Sequence, residues 1–204
     1  TTACNLLFVA IDSSPFNEAV KTETIDSIEV LETKLRHSAL AIIRLPEGPM
    51  SNGNRPALVA QRDLPLPLHA TAIALTTTRQ VVGETPTDKV WAVVGCDTMR
   101  TPLLAPAELL DDPGFILVDV TDPANPSVFE NGMIATKGMG RGVIEGEVTV
   151  LAAEGDFVLV GTRANGLYAF SISNPTHPVM VNHKGSFLLN GKETTPLIES
   201  IELR

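Results

Sequence analysis

Phe-Ile-Leu-Val-Asp-Val-Thr-Asp-Pro-Ala-Asn-Pro-Ser-Val (115–128) is echoed further along the chain by Leu-Tyr-Ala-Phe-Ser-Ile-Ser-Asn-Pro-Thr-His-Pro-Val (167–179). Each copy is an apolar strand-length run, then Asp or Asn before Pro, two residues, and a second Pro. An internal repeat of this kind decides the fold before any single element does. Working outward, three rounds of one pattern can be superimposed. Leu6–Ala10, Val90–Val94 and Phe157–Val160 open them. Ala39–Leu45, Phe115–Val120 and Leu167–Ile172 follow, then Ala57–Leu64, Ser127–Ala135 and Val179–Phe187. Thr71–Leu75, Glu147–Leu151 and Glu199–Leu203 close them. Turn chemistry sits at most joins: Asn165-Gly166, Asn190-Gly191, Glu154-Gly155-Asp156 and Asp122-Pro123. Four-stranded units repeated in sequence predict an all-β chain of three four-stranded antiparallel blades, part of a β-propeller.

The whole of 1–204 reads as one partial propeller domain, with rounds over 5–84, 88–154 and 156–204. Two insertions, 12–38 and 98–114, interrupt the rounds. The first contains Ile25, Ile28, Leu31 and Leu35 at near-helical spacing within Asn17–His37, but its threonines favour an extended hairpin. The second holds Ala-Glu-Leu-Leu-Asp-Asp, one helical turn. Composition agrees with a folded domain: of 204 residues, 44% are hydrophobic and 19% charged. No apolar run approaches the ~20 residues of a transmembrane helix. The formal net charge of -9, with scattered Lys and Arg, argues against a nucleic-acid partner, which needs a basic stripe. Thr1 to Leu7 lacks a basic region and a cleavage site, so the expectation is a removed signal or a chain cut from something longer.

The strand ending Leu-Val-Asp-Val-Thr-Asp-Pro-Ala-Asn-Pro resembles the LVIVD-type repeat of bacterial and archaeal propellers. Asp156–Pro178 is similar to it again, with Ser171 where the pattern prefers Asp. The resemblance covers 90–204; round one departs from it, its second strand ending Arg44-Leu45-Pro46-Glu47-Gly48 without the double proline. It implies a propeller fold and export, hence an extracellular or periplasmic place, and no particular activity.

The repeat's polar residues have structural work. An Asx side chain bonds backbone N–H groups just ahead of it, and Pro presets φ at the next turn position. Pro126 and Pro178 then lead into strands where a missing N–H costs least. Asp119 is expected in a turn or inter-blade hydrogen bond, and His177 at the surface. Catalytic motifs are absent from the sequence: no Gly-x-Ser-x-Gly, His-Glu-x-x-His, phosphate loop or Cys-x-x-Cys. Gly138–Gly142 reads as a flexible connection, and Thr1 as a frayed terminus rather than a nucleophile. Cys4 and Cys96 fall at opposite ends of equivalent strands ~17–20 Å long, too far apart to bridge.

The phase of the rounds has a consequence. The chain opens on the second strand of a blade and closes, at Ile198–Leu203, on the first strand of another. That strand should pair with Asn5–Ile11, with another chain or with another copy. The first functional reading is therefore a structural or interaction module whose propeller is completed by further protein. The second is a small-ligand or metal site at the channel mouth, with or without a reaction. Aligning Ile73–Leu75, Thr149–Leu151 and Ile201–Leu203 makes Thr71, Glu147 and Glu199 equivalent, with His69 and Glu145 two residues earlier and Arg141 upstream. Glu145, Glu147, Glu199 and His69 form the candidate metal cluster; no organic cofactor is expected, and Ca²⁺ is the hard cation that would suit it.

Overall fold

The computed structural model describes residues 5–11, 38–47, 54–64, 68–82, 85–98, 114–128, 141–195 and 197–203. Both insertions in their main parts (12–37 and 99–113), Cys4, Thr1 and Gly138–Gly140 lie outside the described residues. The described chain is all-β and antiparallel. A first sheet joins β1 (Leu6–Ile11), β2 (Ala39–Arg44) and β3 (Ala57–Asp63) in that order. A second runs β4 (Leu68–Val82), β5 (Thr85–Thr98), β6 (Gly114–Asp119) and β7 (Ser127–Val128), with β8 (Arg141–Val143) also on β6. A third runs β9 (Val148–Glu154), β10 (Phe157–Thr162), β11 (Leu167–Ser171) and β12 (Val179–Lys184). A hairpin of β13 (Phe187–Leu189) and β14 (Lys192–Thr194) follows. Asn190 and Gly191 join its strands with φ of 52° and 76°, the doubly positive pair that a type I′ turn demands. No described helix is long and apolar enough to cross a membrane.

The expected three sheets of four strands are thus sheets of three, five and four, plus a hairpin. The three strands of the first sheet follow from the expected phase; the fifth strand of the second does not. The closing strand of each round pairs forward, into the next round's sheet: β4 joins β5, and β9 joins β10. That leaves the first sheet with β1 at its edge. The fifth strand comes from a split outer strand. β5 occupies one edge of β6, so β7 and β8 share the other, β7 at Val118–Asp119 and β8 at Gly114–Ile116. The glycine run expected as a flexible connection therefore ends in a strand. Gly142 is needed there, because a Cβ would sit 2.1 Å from the Phe115 ring.

Alternation along the strands fills two cores. In the second sheet, Ala92, Val94, Cys96, Ile116 and Val118 point to one side and pack with Leu40, Ile42, Leu6 and Phe8 of the first. Trp91, Val93, Phe115 and Leu117 point to the other and pack with Val158, Val160, Tyr168 and Phe170 of the third. Phe115 and Phe170 meet edge-on across this core, with ring centroids 5.0 Å apart. The buried Trp91 indole N–H donates to Thr78 Oγ1 at 2.9 Å, so its one polar atom is satisfied. The Cys96 side chain is buried in the first of these cores, within β5 rather than at a strand end. β4 also lies along β9, and Thr76 Oγ1 donates across to the Gly155 carbonyl at 2.9 Å.

Of the partners expected for the closing segment, the one within the chain is not taken. Ile198–Leu203 is in no strand ladder and does not pair with β1. It runs instead against the third sheet: the Ile198 N–H donates to Thr162 O at 3.2 Å, and Thr149 Oγ1 donates to Ile198 O. A glycine makes the room for it. A Cβ on Gly161 would meet Ile198 Cγ2 at 2.6 Å, just as one on Gly95 would meet Val148 Cγ1 at 2.9 Å. Ile198 stands to the third sheet as Val148 of β9 stands to the second.

Candidate functional site

The strand registers correct the alignment on which the candidate cluster rested. Val94 pairs with Ile73, and the matching Val160 pairs with Leu151, so Ile73 and not Leu75 is the counterpart of Leu151. Thr71 then corresponds to Thr149, and His69 to Glu147. The two positions are used alike. His69 opposes Asp97 in the ladder, and Glu147 O accepts the Arg163 N–H at 3.0 Å. Glu147 also takes Arg163 in a bidentate ion pair, with Nε and Nη2 at 2.6 and 3.1 Å. Arg163 thus supplies a cation to Glu147, while the side chain of Arg141 lies outside what the structure describes.

The side chain of His69 lies outside what the structure describes. Glu145 is exposed; its carbonyl accepts the Tyr168 hydroxyl at 3.3 Å. Tyr168 stacks on His183 with centroids 4.0 Å apart, and His183 Nε2 lies 2.7 Å from Asn165 O. Burial pushes the Tyr168 phenol up, and the Glu145 charge adds to this against the opposing hydrogen bond. Glu199 is exposed beside Ile198, whose backbone ties bring it to the strand end carrying Glu147. Among the described residues, no group of three or more His, Cys, Asp and Glu side chains is arranged to hold a metal ion.

The repeat's acidic residues are held in bonds. Burial pushes the Asp119 carboxyl up, but Lys89 Nζ at 2.8 Å and the Thr121 hydroxyl and N–H together hold it below its ordinary value. The expected turn bond is the one from the Thr121 N–H; the other, to Lys89, runs to the neighbouring strand of the same sheet and not between sheets. Asp122 accepts the Ala124 N–H at 3.0 Å and Asn125 Nδ2 at 2.7 Å, and Asn125 foremost holds its carboxyl low. In the second copy Asn174 accepts Thr176 Oγ1 at 2.7 Å, and the exposed His177 lies 2.8 Å from that hydroxyl.

Sequence reasoning missed a groove of about 630 Å³ between the open end of the first sheet and the Asp122 turn. Arg44, Arg55, Glu47, Asn54, Asn5 and Asp122 contribute its polar lining. Its only sequence signal is the departure of round one at Arg44–Gly48. Both signs of charge meet there.

An all-β antiparallel repeat, with Asx-Pro turns in structural roles, is the class these observations define. The family model of the LVIVD repeat matches residues 145–184, the span that makes up the third sheet. The chain carries an LVIVD repeat there. No curated protein and no solved structure matches the chain.

Proposed function

We propose that this chain is a structural and interaction module: three consecutive blades of an LVIVD-type propeller, with the ring completed by further protein. Strand phase carries the reading. The second and third sheets each have an inner strand, β4 and β9, ahead of the strand equivalent to β1. The first sheet has none among the described residues. Residues 197–203 hold the position of an inner strand on the third sheet, with no sheet of their own among the described residues. Among the described residues, a sheet short of one inner strand and an inner strand short of a sheet make up the two halves of one blade. An edge of free N–H and C=O groups is a template for strand addition. Export to an extracellular or periplasmic space belongs to the same proposal and rests on the repeat resemblance.

The competing reading, a small ligand or Ca²⁺ held by Glu145, Glu147, Glu199 and His69, is weaker. Glu147 would first have to leave a bidentate arginine. Amide exchange tests the module reading. The β1 amides that face away from β2 should exchange fast in the dilute chain and slow on assembly. Strong protection of those amides in a verified monomer would mean the edge is closed within the chain, and the reading fails.

A further inference from the structure

Burial of equivalent residues changes along the chain in a directional way. The N–H groups of Leu45, Val120 and Ile172 donate to Asn5, Val90 and Asp156 respectively, which fixes β1, β5 and β10 in one alignment. In it, Leu7, Val9 and Ile11 match Ala92, Val94 and Cys96, and then Val158, Val160 and Thr162. The last six are no more than 1% exposed, whereas Leu7 is 45% and Ile11 39% exposed. The opposite face reverses the trend: Trp91 is 2% exposed and its counterpart Phe157 is 56% exposed. The first sheet is bare on the face that the other two use toward the preceding sheet. The third is open at Phe157, on the face that the other two use toward the following one.

These bare faces are the two sides of one kind of contact, a contact the chain already makes twice, from first sheet to second and from second to third. Leu7, Ile43 and Leu58 form a continuous apolar row across the first sheet, one residue from each strand. Such a face, beside a strand edge that no described strand pairs, calls for an interface. Three sheets are too few to close a ring, which takes about four to eight. Resting on the module reading, we infer that the missing neighbour is a second copy of this chain. The Phe157 face and segment 197–203 of one copy meet the Leu7 face and β1 edge of the other, and the reverse contact closes a six-sheet ring about a two-fold axis. The glycine cradles set the register. Ile198 matches Val148, so Ile201 matches Leu151; because Leu151 pairs with Val160, Ile201 should lie opposite Val9.

Sedimentation equilibrium with a cross-link at that register tests the inference. The wild-type chain at micromolar concentration should weigh about twice its 21.7 kDa. Phe157→Asp and Leu7→Asp, both at exposed positions, should each halve that mass and leave the circular dichroism unchanged. In a Cys4→Ser background that keeps the buried Cys96, Val9→Cys with Ile201→Cys should oxidise to a covalent homodimer, and a mixture of the Val9→Cys chain with the Ile201→Cys chain should give a covalent heterodimer. A wild-type mass of one chain with fast-exchanging β1 amides overturns the second copy and leaves the module reading standing. An intramolecular disulfide in a monomer overturns both. A dimer that both aspartate variants leave intact places the interface elsewhere and overturns the inference.

Discussion

Gly161→Ala is the most direct probe of how the closing segment is held. The added Cβ would fall 2.6 Å from Ile198 Cγ2 and 2.6 Å from Val150 Cγ1, well inside van der Waals contact. Val150 lies within β9 and is fixed by its ladder. Ile198 is held by a 3.2 Å bond to Thr162 O and by the Thr149 hydroxyl, so it is the side that gives. Overpacking of this kind costs about 1–3 kcal/mol. If that cost falls on the segment, its N–H exchange should accelerate about 5- to 150-fold, since 1.36 kcal/mol is a factor of ten. The melting temperature should fall little. Gly95→Ala is the control. There the clashing groups are Val148 at 2.9 Å and Leu151 at 3.1 Å, both in the main core. The same cost should appear as a global loss, about 2–4 °C in melting temperature for each kcal/mol. Hydrogen exchange read by NMR, with thermal melts of both variants, makes the comparison. Unchanged Ile198 exchange in Gly161→Ala, or a global loss equal to that of Gly95→Ala, would refute the docked-segment argument.

Thr78→Val should destabilise the chain by about 1–3 kcal/mol in urea unfolding, because the buried Trp91 indole N–H loses its acceptor, and Thr78→Ser should recover most of it. Acid should reveal Asp119. Its folded pKa lies below the unfolded value, so its stabilisation is present above about pH 4 and is lost as pH falls through the folded value. Lys89→Met should therefore flatten the acid limb of the stability curve, read from urea midpoints at successive pH values. An acid limb as steep as wild type would show that the Lys89 pair does not set it.

The repeat at 115–128 and 167–179 determined a good deal unaided. Its apolar runs became β6 and β11, its Asx-Pro steps became turns, and Pro126 and Pro178 stand just ahead of β7 and β12. These features are local: strand alternation, a side-chain-to-backbone bond within three residues, and a φ fixed by a ring. The forward pairing of each closing strand was legible too, as phase. What the sequence could not give was register. The ladders slip between Ala70 and Ala72 and between Gly161 and Thr162, and a bulge leaves no composition signature. The pairing of Ile73 with Val94, matched by that of Leu151 with Val160, makes His69, not Thr71, the counterpart of Glu147, and only the folded chain brought Arg163 to Glu147. The split of one outer strand into β7 and β8, and the bare Leu7 and Phe157 faces, were likewise decided by tertiary packing. Burial depends on which sheet lies next door, and equivalent residues of the repeat have different neighbours.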